Sequence, residues 1–260
     1  MAKRKDQIQK QLTLFNEKKD LELENFVLRL ERITNSAINK VLRRLGKLSE
    51  RSRVEAALQI AKFADILEAE GLSDEVDRIE RLFALEISNV KDKFDLAGAG
   101  NEFGDIDAQT VNALLEYKID DIANEITGYG DALRSEILST YLTGGEINAD
   151  SLLLVKGEGT LANIETDIRT ALSGLSGSIT AAKSAELGID RWTYVGPLDD
   201  VTRKFCEDRI NENKIWTRPE IDDLNNDPKA SELDVFTYKG GYNCRHEWVP
   251  YIPLPAELDE

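Results

Sequence analysis

Through the first 187 residues the apolar side chains recur at steps of three and four, and at Gly188 that rhythm stops. Leu23, Phe26, Leu30, Ile33, Ala37, Val41, Leu45 and Leu48 make the stripe of one long amphipathic helix. A second helix carries Val54, Ala57, Leu58, Ala61 and Ala64 and closes at Gly71. A third begins near Ser73 with Asp74 and Glu75 in its first turn, where a helix dipole favours carboxylates. Its stripe is Val76, Ile79, Phe83, Ile87, Val90 and Phe94, ended by Ala97-Gly-Ala-Gly. Asp107 caps a fourth, with Val111, Leu115, Ile119, Ile122 and Ile126 inward, running past Gly128 and Gly130 to Leu133, Ile137 and Tyr141. Thr160 caps a fifth through Leu161, Ile164, Ile168, Leu172, Leu175 and Ile179. Small residues in Ser173-Gly-Leu-Ser-Gly-Ser178 predict close approach of a neighbouring element there.

After Gly188 the period becomes two. Arg191-Trp-Thr-Tyr-Val195 is rich in β-formers and reads as a strand turned by Gly196-Pro197. Asp199 or Asp200 caps a short helix through Arg203, Phe205 and Arg209. Residues 214–217 form a second strand, Thr217 and Glu220 a capping box, residues 225–234 an acidic loop, and Val235–Tyr238 a further strand. The expected fold is mainly α. An elongated multi-helix body with long amphipathic helices (21–187) follows a basic N-terminal arm (1–20), and a small C-terminal α+β module (188–260) follows the body.

No run of about 18 apolar residues occurs, so no membrane span is expected. The basic start lacks a continuous apolar region after it, which predicts synthesis in the cytoplasm without a secretion signal. The net charge of −16 hides a gradient: residues 1–56 hold fourteen Lys and Arg against eight Asp and Glu, a net of +6, which leaves −22 for the rest. Phosphate contact is therefore confined to the start, where Lys3, Arg4, Lys5 and Lys10 are the candidates; otherwise they form a solvated helix face.

Both cysteines and the only histidine lie in the last quarter, as Cys206, Cys244 and His246. Four readings stay open: a disulfide, a structural zinc with Asp199 or Glu207 as the fourth ligand, packed metal-free core, and a Cys206 nucleophile with His246 as its base. Apart from that zinc no cofactor is indicated. Arg203 and Arg245 are expected to tie Asp199, Asp200 or Glu207 across the module, and Trp192, Trp216, Tyr242 and Trp248 to form its core. No phosphate-binding glycine loop, Gly-x-Ser-x-Gly or His-Glu-x-x-His pattern is present, which weighs against an enzyme.

The run Asp199-x-x-Thr202-Arg203-x-x-Cys206, a capped helix, and then Gly240-Gly241-Tyr-Asn243-Cys-Arg245-His-Glu-Trp248-Val-Pro250 resembles the C-terminal domain of the phage Mu F-like minor head proteins, or phage head morphogenesis proteins. The resemblance covers about residues 188–252. Many members have a further Cys where His246 stands, a substitution that keeps a metal-ligating residue type. The resemblance implies a minor capsid protein of the virion head or neck, made in the host cytoplasm. The expected partners are portal, capsid or neck subunits, with packaged DNA or an acidic virion surface met through the basic start; the long amphipathic stripes, which need covering, point to self-association or docking. The expectation is a non-enzymatic structural protein; a zinc- or thiol-dependent enzyme centred on Cys206 and His246, and a nucleic-acid-binding helical adaptor, are the alternatives.

Overall fold

The computed structural model describes residues 2–45, 60–100, 130–143 and 161–253, together with residues 112, 124, 126 and 128. The protein is mainly helical with a small antiparallel sheet near its C-terminus. Helix α1 spans Ala2–Leu45, α2 Phe63–Ala69, α3 Leu72–Leu96, α4 residues 130–142 and α5 Leu161–Glu186. Strand β1 (Arg191–Val195), α6 (Lys204–Glu212), β2 (Ile215–Thr217), α7 (Arg218–Asp223), a 3-10 turn (Leu224–Asn226), α8 (Val235–Tyr238) and β3 (Glu247–Pro250) complete it. The expected caps at Asp107 and Thr160 and the start of the second helix lie outside the described residues.

The chain divides into two compact units. One comprises Glu22–Arg81 and Ile119–Glu165. There the α1 stripe Leu23, Phe26, Leu30, Ile33, Ala37 and Val41 is buried, as its spacing required, as are Phe63, Ile66, Leu67, Ile79, Leu133 and Ile137. Gly71 takes a left-handed φ of 101° between α2 and α3, a conformation open to glycine at little cost.

The other unit comprises Met1–Leu21, Leu82–Lys118 and Thr166–Glu260, and holds the sheet. Residues 2–20 are not a free arm: they are the first turns of α1 and bury Leu12, Asn16 and Lys19. The Gln9 side-chain amide donates to the Gly196 carbonyl at 2.7 Å and accepts from the Gly196 amide at 3.1 Å. Asn16 Nδ2 donates to the Arg245 carbonyl at 3.0 Å.

The strand order is β2-β1-β3, with Trp192 opposite Trp216 and Tyr194 opposite Trp248. Trp192, Tyr194, Trp216 and Trp248 belong to the module core with Phe205, Ile221, Val235 and Phe236, while Val195 and Val249 pack with Leu12 of α1. Both faces of the sheet are thus covered, which explains why β1 buries every residue after Arg191. Helix α5 is buried on nearly all sides between Ala171 and Gly177. Its glycines answer the expected close approach: a Cβ on Gly177 would lie 2.2 Å from the Thr237 carbonyl oxygen, and one on Gly174 2.7 Å from the Tyr238 ring.

Three sequence expectations fail in this module. Val235–Tyr238 is a helical turn rather than a strand, because the Asp234 carboxylate accepts from the Thr237 amide at 2.8 Å and caps it. Helix α6 starts at Lys204 with Arg203 as its cap, not at Asp199 or Asp200. Tyr242 is 44 % exposed and donates to Glu232, so it is not core. The capping box of Thr217 and Glu220 forms as read.

Candidate metal centre

Cys206 stands in the first turn of α6, on the face that carries Phe205 inward. Ahead of it Asp199 and Thr202 fold a tight turn: the Thr202 amide donates to the Asp199 carbonyl at 3.0 Å, and the Asp199 amide to Thr202 Oγ1 at 2.9 Å. Cys244 and His246 follow a turn in which Lys239, Gly241 and Asn243 take φ of 55°, 95° and 56°. Gly241 is required twice over, since a Cβ there would also lie 2.4 Å from Ser231 Oγ. The Asn243 amide donates to Thr170 Oγ1 at 3.1 Å and fixes the turn against α5.

These elements bring the three candidate ligands together. Cys206 Sγ and Cys244 Sγ are 3.9 Å apart, Cys244 Sγ and His246 Nδ1 3.7 Å, and one ligand atom from each residue lies within 4.8 Å of the others. All three residues are buried, and both thiols are free, so no disulfide joins them. His246 Nε2 lies 2.9 Å from the Pro197 carbonyl oxygen. A carbonyl only accepts, so Nε2 carries a proton, and Nδ1 is the ring nitrogen that faces Cys244 and would bond to a metal. The Gly240 amide donates to Cys244 Sγ at 3.2 Å, a contact that stabilises thiolate. Gly240 also makes room: a Cβ would lie 2.3 Å from Cys206 Sγ.

Electrostatics split the two thiols. The hydrogen bond from Cys206 lowers the pKa of Cys244 well below the ordinary thiol range against the effect of burial, with His246 assisting. That same bond, joined by burial, holds Cys206 protonated. Tyr194, stacked parallel to His246 with ring centroids 5.5 Å apart, donates from its hydroxyl to Cys206 Sγ at 3.3 Å. Burial, and then the two sulfurs, push its phenol well above its ordinary pKa.

The expected fourth ligands are not there. The Asp199 carboxylate receives Arg245 Nη2 at 2.7 Å on both oxygens, which ties the two motifs as anticipated, and Glu207 pairs with Lys204 at 3.1 Å. Arg203 reaches the Gly240 carbonyl at 3.5 Å and, among the described residues, is paired with no carboxylate. Trp248 closes the core and donates from Nε1 to the Val235 carbonyl at 3.0 Å. Lys10 is exposed on α1; Lys3, Arg4 and Lys5 belong to the same helix, and their side chains lie outside the described residues.

Sequence reasoning missed a second buried cluster beside the first. Lys239 Nζ and Lys93 Nζ lie 3.2 and 3.3 Å from Glu247 Oε2, and Lys19 Nζ lies 3.3 Å from Glu86 Oε2. Ser176 bridges Lys93 and Glu247, and Lys239 donates to the Ser173 carbonyl at 2.8 Å. Burial alone would raise the Glu247 pKa, but Lys239, Lys93 and Lys19 outweigh it and bring it to about 2. The one available signal was a charged residue on an apolar face: Glu86 falls three residues after Phe83 on the α3 stripe.

Comparison with protein-family models, with curated proteins and with solved structures returned no match to this chain.

Proposed function

We propose that this protein is a non-enzymatic assembly component of a phage head or neck, built to dock on portal, capsid or neck subunits, with a C-terminal module held by one structural zinc. The observation that carries the reading is where the two motifs spend their side chains. Asp199 is tied to Arg245, Arg203 to the Gly240 backbone, and buried Cys206 to Cys244, so each makes a contact within the module, although Asp199 and Arg203 are also solvent-exposed. The donor atoms of Cys206, Cys244 and His246 are enclosed by core, which suits a closed structural metal site and not one that must admit substrate. The donor set of two sulfurs and one imidazole held at Nε2 by a backbone carbonyl fits zinc, and Gly240 supplies the cradle that a larger residue would fill.

Self-association and docking draw on α1, which exposes Leu14 and Leu21. Any contact with packaged DNA falls to exposed Lys10 of the same helix, with Lys3, Arg4 and Lys5 as the further candidates from the sequence. The test is co-expression with the portal, capsid and neck proteins of one phage, followed by purification. Stable association with one of them supports the reading; no association, together with an enzymatic turnover abolished by Cys206→Ala, overturns it.

A further inference from the structure

The three ligands leave a tetrahedral site one short, and the residue nearest the gap is neither Asp199 nor Glu207. A tetrahedral zinc holds sulfur at about 2.3 Å and nitrogen or oxygen at about 2.0–2.1 Å, so its S to S edge is about 3.8 Å and its S to N or O edges about 3.5 Å. The distances here are 3.9 Å from Cys206 Sγ to Cys244 Sγ and 3.7 Å from Cys244 Sγ to His246 Nδ1. The Tyr194 hydroxyl oxygen stands 3.3 Å from Cys206 Sγ and 4.0 Å from Cys244 Sγ. Four edges among these donors thus lie within about 0.5 Å of tetrahedral length, and Cys206, Cys244 and His246 keep their ligand atoms within 4.8 Å of one another.

We infer that Tyr194 is the fourth ligand, giving a Cys206, Cys244, His246, Tyr194 zinc site closed to solvent. It rests on the zinc reading above. Several features hold the phenol in place. Tyr194 lies mid-strand on β1, paired with Trp248 across the ladder, and its ring is boxed by Trp248 at 4.5 Å, Phe205 at 6.5 Å and the parallel His246 ring. The tyrosine is buried. Without metal its hydroxyl proton has a use, the hydrogen bond to Cys206. When zinc binds, the phenol and the Cys206 thiol each release a proton to solvent, the phenolate oxygen and both thiolates bond to the ion, and the hydrogen bond is replaced by two metal bonds.

The test is titration of the metal-free full-length chain with zinc against a chromophoric chelator, reading affinity, proton release and the ultraviolet absorption of tyrosinate. The expected result is a tyrosinate band that grows with zinc and saturates at one equivalent. Tyr194→Phe then binds zinc at least about tenfold more weakly, shows no band and releases one proton fewer. Stoichiometric zinc binding with no tyrosinate band overturns the inference and makes Tyr194 a hydrogen-bond donor to the sulfur, leaving the zinc reading intact. Failure of the wild-type chain to bind zinc overturns both. The wild-type band decides the matter by itself, so a Tyr194→Phe chain that does not fold leaves the outcome unchanged.

Discussion

His246 donates its Nε2 proton to the carbonyl oxygen of Pro197 at 2.9 Å, and Gly196 leaves the space for it, since a Cβ there would lie 2.3 Å from His246 Cδ2. The imidazole is therefore oriented by backbone, with Nδ1 turned towards Cys244. Nitrogen-15 spectra of the single histidine should show Nε2 protonated both without and with zinc, and the Nδ1 signal alone should move strongly on adding zinc. An Nε2 that carries no proton would contradict the assignment.

Gly240 and Gly177 are predicted to reject a methyl group for different reasons. Gly240→Ala drives a carbon into Cys206 Sγ and should weaken zinc binding as well as stability; Gly177→Ala meets the Thr237 backbone and should cost about 1–3 kcal/mol or more with zinc affinity per folded chain unchanged. Gly128, helical and with nothing near its would-be Cβ, is the control: Gly128→Ala should be neutral or stabilise by up to about 1 kcal/mol. Urea unfolding of the three variants checks the order.

Glu247 should make the fold sensitive to acid. Its folded pKa of about 2 lies below the ordinary carboxylate range, so its contribution is present above about pH 4.5 and is lost as pH falls from there towards 2. Glu247→Gln leaves Lys19, Lys93 and Lys239 with Glu86 alone and should cost about 3–5 kcal/mol at neutral pH. Urea midpoints measured from pH 6 down should fall more steeply for the wild-type chain than for the variant. Parallel curves would show that the cluster does not hold the charge assigned to it.

Asp199 separates the ligand question from the tie. Its pair with Arg245 is partly solvated, the carboxylate side chain being 39 % exposed, so Asp199→Ala should cost only about 0.5–1 kcal/mol. Zinc affinity should stay within a few-fold of wild type, measured by competition with a chelator. A loss of a hundredfold would restore Asp199 as a ligand.

The helices, β1, β2 and the capping box were legible because each rests on local periodicity or a local hydrogen bond. So was the convergence of Cys206, Cys244 and His246, since residues so scarce in the chain mark two segments that fold together. Tyr194 was hidden because an aromatic in a β-run is explained by strand propensity alone, and only the ladder puts its hydroxyl beside the sulfurs. The Lys93, Lys239 and Glu247 cluster was hidden for the opposite reason: charged residues in a chain with 49 acidic groups read as surface, and burial depends on partners far away in sequence. The short helix Val235–Tyr238 shows a third case, where a side-chain cap at Asp234 overrides the β-propensity of Val, Phe, Thr and Tyr.

The most direct measurement is native mass spectrometry of the full-length chain, as purified and after chelation, paired with thermal unfolding of the same samples. The structural-zinc account predicts one zinc per chain, its loss on chelation, and a fall in Tm that added zinc reverses. A chain that carries no zinc, takes up none, and unfolds at one temperature throughout would contradict it.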